Sequence, residues 1–228
     1  MHARIFGIDL GTTNSVAAIY RNGQIEVLPS TTGSKLFPSY VAYSKRTPGD
    51  FIVGEFARKK LSQPTTSIVV HDCKRLIGVS YDSEIVSRIK KSVGFEIEDD
   101  GTNKPKIVVR LEGKVIEKYP EDIGAMILRE ITTRMQQYMG DSINNVVITV
   151  PAYFNQRQRD LTKAAGAIAG LNVVEIISEP QAAAYAYLDQ RDIVGNSTLM
   201  VYDLGGGTFD VTILKVSGER VEEVALDG

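Results

Sequence analysis

Short apolar segments separated by polar turns dominate the first fifty or so residues, a pattern typical of β-strands. Residues 5–10, 15–20 and 25–28 are such segments, and the turn Asn22-Gly23 separates the last two. An Asn-Gly pair between apolar segments is a strong hairpin signal. We therefore predict antiparallel strands here, followed by two more short strands, at 40–43 and 52–53.

In the segments that follow, hydrophobic residues recur at the longer period of a helix. Helical spacing occurs at 55–61 and at 84–93, and in the second segment Ile85, Ile89 and Val93 would share one face. The clearest helix is predicted at 120–139. Pro120 suits its first position and Gly140 its end.

Strands and helices alternate in the second half of the chain. The predicted strands are 107–111, 115–118, 145–150, 173–177, 198–202 and 211–216, and the predicted helices are 156–169 and 179–190. Early hairpins followed by β-α alternation predict a mixed α/β fold.

Composition changes this picture little. The 228 residues are 43% hydrophobic and 24% charged, with a formal net charge of −2. No basic patch favours nucleic acid or a membrane surface, and no apolar run approaches the length of a membrane span. A single cysteine, Cys73, excludes a disulfide within the chain. We expect a reducing, cytoplasmic environment.

Two segments of the sequence resemble each other. Residues 5–13 and 199–208 each form an apolar strand that ends in aspartate, Asp9 or Asp203, followed by glycine and hydroxyl residues and a second strand. The repeat predicts two lobes built on one plan, with their turns facing each other across a cleft.

The residues of these turns suit phosphate. Glycines let backbone N–H groups approach an anion closely, and hydroxyls add donors. Carboxylates would repel phosphate unless a divalent cation lay between them, and Mg²⁺ fits that place. The pattern therefore predicts a Mg-nucleotide site. The residues concerned are Thr12, Thr13, Gly205, Gly206, Gly207 and Thr208, with Asp9 and Asp203 for the metal.

Two other interpretations of the turns compete with a phosphate site. Asp and Gly are common in plain hairpin turns, but two copies in matching strands make that interpretation weak. Aspartic proteases also carry two Asp-containing turns from duplicated lobes. There a hydroxyl residue follows each aspartate, whereas Leu10 and Leu204 stand here, so we reject the protease.

Six motifs together resemble the 70-kDa heat-shock chaperone family, in that family's order and over essentially the whole chain. They are residues 8–15, 74–78, 150–155, 169–173, 179–184 and 203–210. The resemblance implies an actin-like ATPase domain with duplicated ribonuclease-H-like lobes. It further implies a complete first lobe at 1–192 and a truncated second lobe, of which 193–228 is the start.

The resemblance also implies roles for individual residues. Asp9 and Asp203 would organise Mg²⁺, and Pro151 and Arg159 would relay the nucleotide state to a peptide-binding domain. The catalytic residues would be Lys74, Glu179 and Asp210, and the nucleotide would contact Thr12, Thr13, Asn14, Gly205, Gly206, Gly207 and Thr208. The implied cofactors are ATP or ADP with Mg²⁺, and optionally K⁺.

The partners implied for the full-length protein are unfolded peptides, J-domain co-chaperones and nucleotide exchange factors. A non-catalytic nucleotide-binding or interaction module is the main alternative function. A sugar kinase or filament protein of the same superfamily is disfavoured by the chaperone-like motifs. For a truncated second lobe we expect the strands from 198 onward to lack partners and a covering helix layer, and hence to favour self-association.

The sequence departs from the family pattern at three places. Ser178 replaces the usual Asn and Gln181 the usual Thr, on either side of Glu179, and His71 replaces an aromatic residue.

Overall fold

The computed structural model describes residues 4–30, 32–191, 196–205, 209–218 and 220–227. Its strands are β1 (Ile5–Asp9), β2 (Asn14–Arg21), β3 (Gln24–Val27), β4 (Phe37–Pro38), β5 (Val41–Ser44), β6 (Phe51–Val53), β7 (Ser67–Val70), β8 (Glu96–Asp99), β9 (Pro105–Leu111), β10 (Lys114–Lys118), β11 (Asn145–Val150), β12 (Asn172–Ser178), β13 (Asn196–Leu204), β14 (Phe209–Ser217) and β15 (Arg220–Asp227). Its helices are α1 (Glu55–Lys59), α2 (Glu84–Lys90), α3 (Pro120–Met139), α4 (Gln156–Ile168) and α5 (Glu179–Arg191), with 3-10 turns at Lys60–Ser62 and Cys73–Leu76.

The largest sheet has the strand order β12-β11-β1-β2-β3, and β4 pairs with β2. Strands β12, β11 and β1 run parallel, whereas β1, β2 and β3 are antiparallel neighbours. The predicted hairpin turn is confirmed, because Asn22 and Gly23 both have positive φ, at 53° and 78°. Asn and Gly tolerate that conformation better than other residues, which explains the local sequence.

Three smaller sheets complete the described part of the chain, with the orders β6-β5-β7, β10-β9-β8 and β13-β14-β15. The strands predicted at 107–111 and 115–118 are present as β9 and β10, and they pair as a hairpin. Strands β4, β7, β8 and β15 were not predicted as strands. The fold is thus mixed α/β, as expected.

Helix α3 has the predicted bounds, with Pro120 as its first residue and Gly140, at φ 64°, at its end. It buries Ile123, Leu128 and Ile131 in the main core, together with Phe6 and Ile8 of β1. The strand that ends at Asp9 is therefore fixed from one side by the longest helix.

The prediction for the α2 region is wrong in detail. The helix ends at Lys90, and it buries Val86 and Ile89 while Ile85 is 42% exposed. Ser83 caps the helix by accepting a hydrogen bond from the Val86 N–H. In so short a helix the buried stripe is one residue wide on each turn, which leaves Ile85 at its edge.

Helix α5 lies on the β13–β15 sheet, so the expectation that these strands lack a covering helix is wrong for one face. Ala184 packs with Leu214, Val216 and Val221. On the opposite face, β13 exposes Met200, Tyr202 and Leu204. Self-association through this face stays a prediction.

No helix within the described ranges is both long and apolar enough to cross a lipid bilayer. Cys73 is a buried free thiol, and its burial raises the pKa of the thiol.

Helix α4 approaches the sheet so closely that Gly166 is required. A Cβ added at Gly166 would lie 2.2 Å from Val173 Cγ2 of β12 and 3.4 Å from Ile148 Cδ1 of β11. We expect Gly166→Ala to lower the free energy of unfolding by about 2 kcal/mol in urea denaturation, the usual cost of overpacking a core.

Trimming the valine should restore the fit. The penalty for Gly166→Ala should largely vanish when it is measured in a Val173→Ala background. Gly94→Ala serves as the matched control, because a Cβ there meets nothing within 4 Å. An equal penalty in both backgrounds would show that this contact is not its source.

Candidate functional site

The turn after β1 is held from inside the protein by two buried serines. The Gly11 N–H donates to Ser15 Oγ at 3.2 Å, and the Ser39 hydroxyl donates to the Gly11 carbonyl at 2.8 Å. The two hydroxyls lie 3.0 Å apart, so Ser15 donates to Ser39. Both polar groups of Gly11 are thus satisfied internally, and Thr12 and Thr13 line the cleft beyond the turn.

The two predicted aspartate turns have the same strand pairing. Asp9 of β1 pairs with Val16, seven residues later, and Asp203 of β13 pairs with Asp210, again seven residues later. Both pairs belong to antiparallel hairpins. Gly206, Gly207 and Thr208 lie outside the described residues.

Most of the predicted site residues line one cleft of about 580 Å³. They come from both aspartate hairpins and from the segments around them: Asp9, Thr12, Thr13, Asn14, Lys74, Pro151, Glu179, Asp203 and Gly205. The buried Asn14 Oδ1 has no hydrogen-bond partner within the described part of the chain.

An ion pair between distant parts of the chain crosses this cleft. Lys74 Nζ, on the 3-10 turn Cys73–Leu76, lies 2.5 Å from Glu179 Oε1 at the start of α5, 105 residues later in the sequence. The two side chains are only 9% and 19% exposed. The pair therefore orders two otherwise separate segments around the cleft.

Burial raises the pKa of the Glu179 carboxyl. The charge and hydrogen bond of Lys74 oppose this rise, while the negative charges of Asp9 and Asp203 add to it. The charges of Asp9 and Asp203 thus reach Glu179 within the cleft. Repulsion between like charges favours a site that takes up a cation.

Thr149 is a site residue that the sequence did not reveal. It lies beside Asp9 in the parallel pairing of β11 with β1, and its hydroxyl donates to Asp9 Oδ1 at 2.8 Å. This bond orients the Asp9 carboxylate. A lone hydroxyl residue in the apolar strand β11 was the available signal.

Two of the predicted residues that the structure describes, Asp210 and Arg159, do not line this cleft. Asp210 lines a neighbouring cleft, and Arg75, Tyr153 and Phe154 line both clefts. Burial, Asp210 and Glu179 raise the pKa of Tyr153 to about 12. Arg159 donates from Nε to the Phe154 carbonyl at 3.1 Å and so ties down the loop that follows Pro151.

No group of three or more His, Cys, Asp or Glu residues in the described segments could hold a metal ion by itself. A cation between Asp9 and Asp203 would therefore complete its shell with water and phosphate oxygens. Mg²⁺ is commonly bound in this way, through one or two carboxylates. The residues present fit Mg²⁺ carried in with a phosphate ligand.

An internally braced glycine turn, hydroxyls, carboxylates from two hairpins and a buried lysine around one cleft are features that suit a nucleotide. The family model described as Hsp70 protein matches residues 5–227. The chain therefore belongs to the Hsp70 family. Membership supports a chaperone nucleotide-binding domain, implies nucleotide binding with Mg²⁺, and suggests ATPase activity for the parent protein.

Proposed function

We propose that this chain binds Mg-ATP in the 580 Å³ cleft and that the same residues support hydrolysis of its γ-phosphate. One observation carries the proposal: both aspartate hairpins and the Lys74–Glu179 pair line a single cleft. Phosphoryl transfer needs mainly positioning and neutralisation of charge, and these groups supply both.

Each residue has a role in this proposal. Thr12, Thr13 and Asn14 contact the phosphates, as do Gly205, Gly206, Gly207 and Thr208. Asp9, oriented by Thr149, and Asp203 hold the waters of Mg²⁺, which neutralises phosphate charge when bound. Lys74 and Glu179 orient the attacking water. Asp210 helps to position water and cations, and K⁺ is proposed as a further cofactor.

We further propose that the domain is duplicated, with an actin-like first lobe at 1–192 and a second lobe that begins at 193. The equal spacing of the two aspartate hairpins supports this proposal. Pro151 and Arg159 would relay the nucleotide state to a peptide-binding domain. Arg159 is suited to this role because it bonds the loop after Pro151. Unfolded peptides, J-domain co-chaperones and nucleotide exchange factors would be partners of the full-length protein. We propose a cytoplasmic location.

Calorimetric titration with Mg-ATP tests the proposal. The unaltered chain should bind, and Asp203→Ala should bind at least about tenfold more weakly, which corresponds to ~1.4 kcal/mol. The reason is that one of the two carboxylates that hold the Mg²⁺ shell is lost. Glu112→Ala, which removes an exposed carboxylate on the β9–β10 turn, should bind like the unaltered chain.

Absence of binding by the unaltered chain would overturn the proposal and leave the non-catalytic interaction module. Equal binding by Asp203→Ala would remove Asp203 from the metal site.

A further inference from the structure

The start of α5 carries a reciprocal cap made by two residues that depart from the family pattern. The Ser178 N–H donates to Gln181 Oε1, and the Gln181 N–H donates to Ser178 Oγ, both at 3.2 Å. Such a capping box satisfies backbone donors that a helix start leaves free. Glu179 is the first helical residue and lies between the two partners, so the cap fixes its backbone.

The same serine reaches a second sheet. Its Oγ accepts from Gln181, so its hydroxyl proton is available to Glu223 Oε1 of β15, 45 residues later. Ser178 is completely buried, so its hydroxyl has no access to water as an alternative acceptor. Leaving a buried donor without an acceptor costs more than a hydrogen bond contributes. Glu223 therefore contributes to the geometry at the start of α5.

We propose that Glu223 is a positioning residue for Glu179, acting through the Ser178–Gln181 cap and tying the β13–β15 sheet to one half of the Lys74–Glu179 pair. The chain of contacts is continuous: Glu223 to Ser178, Ser178 to the first turn of α5, and Glu179 to Lys74. A displacement of β15 would therefore reach Glu179 through Ser178 and the first turn of α5. The importance of Glu179 for hydrolysis rests on the proposed function, whereas the tie itself does not.

Amide hydrogen exchange, followed by NMR on the nucleotide-free chain, tests the tie. Glu223→Val removes the acceptor. We expect the backbone amide of Gln181 to exchange about five- to tenfold faster, which is the effect of losing roughly one hydrogen bond. Glu223→Gln keeps an amide oxygen that accepts from Ser178, so it should restore slow exchange. Glu222→Val is the matched control, since it removes the exposed neighbouring carboxylate of the same strand.

A second capping box in the same chain is an internal reference. Asn155 and Gln158 form it at the start of α4, with bonds of 3.0 Å in both directions. The backbone amide of Gln158 should exchange at the same rate in all variants. An unchanged Gln181 rate in Glu223→Val, or an equal acceleration in Glu222→Val, would overturn the proposal.

Steady-state hydrolysis of Mg-ATP separates positioning from general structural support. Glu223→Val should lower kcat and leave KM near its original value, and Glu223→Gln should recover kcat. An equal fall of kcat in Glu223→Val and Glu222→Val would argue against a positioning role. If the unaltered chain shows no hydrolysis, the proposed function fails, but the exchange rates still decide whether Glu223 holds the start of α5.

Discussion

Replacing Lys74 by methionine should lower the free energy of unfolding by about 3 kcal/mol near neutral pH, and by clearly less in mild acid. Methionine keeps most of the length of the side chain but leaves the buried Glu179 carboxylate without its cation. Removing one partner of a buried ion pair is costly because the remaining charge stays out of water. The effect should be large because Lys74 and Glu179 are both mostly buried.

The pH dependence follows from the pKa of Glu179. Burial already raises this pKa, and Lys74 is the main influence that lowers it, so Lys74→Met should raise it further. A carboxyl whose pKa is higher in the folded than in the unfolded state binds its proton more tightly when folded. Stability is therefore lost as pH rises from the unfolded pKa through the folded one.

Urea unfolding at about pH 5 and about pH 8 measures this difference, within the range where linkage of this kind acts. Lys74→Met should be the more destabilised at the higher pH, and Lys74→Met combined with Glu179→Gln should lose the extra pH dependence. Lys59→Met, at a lysine whose side chain is 63% exposed, should have little effect at either pH. Equal destabilisation by Lys74→Met at both values would contradict an uncompensated Glu179 charge.

Local signals in the sequence accounted well for individual elements. The turn at Asn22-Gly23 and the ends of α3 at Pro120 and Gly140 rest on backbone preferences of single residues, which need no tertiary information. The prediction of the buried face of α2 was wrong because it did require tertiary information. Its seven residues satisfy more than one helical stripe, and contact with the core selects Val86 and Ile89.

The residues of the candidate site likewise divide into those that local sequence signals predict and those that they do not. Asp9 and Asp203 could be predicted from the residues, because the repeated turn and its chemistry are local. Lys74 and Glu179 were singled out only by family resemblance, since nothing in either segment specifies a partner 105 residues away. Thr149 needed the register of two parallel strands that are far apart in sequence.

The two departures around Glu179 show most clearly what the sequence alone could not predict. Read singly, Ser178 and Gln181 were differences from a family pattern without a stated consequence. In the structure they are one reciprocal cap, and the serine also bonds Glu223. The spacing of Ser178 and Gln181 was visible in the sequence, but the acceptor on β15 depends on how α5 packs against the last sheet.

Gly11→Ala should weaken binding of Mg-ATP by at least about a hundredfold, a loss of ~2.7 kcal/mol. A Cβ on Gly11 would lie 2.0 Å from the Asn14 carbonyl oxygen, a separation that no side-chain rotation relieves. The turn must therefore shift. It cannot shift alone, because Ser15 and Ser39 hold both polar groups of Gly11 from the buried side.

Gly7→Ala provides the matched control, two residues before Asp9 on the same strand. A Cβ there meets nothing within 4 Å, so both affinity and stability should stay within about 0.5 kcal/mol of the unaltered chain. Calorimetry and urea unfolding of both variants separate two roles of the turn. If Gly11→Ala loses stability but binds nucleotide like the unaltered chain, the turn serves the fold and another segment must hold the phosphates. Loss of affinity well beyond the loss of stability would instead mean that the backbone of this turn contacts the ligand directly.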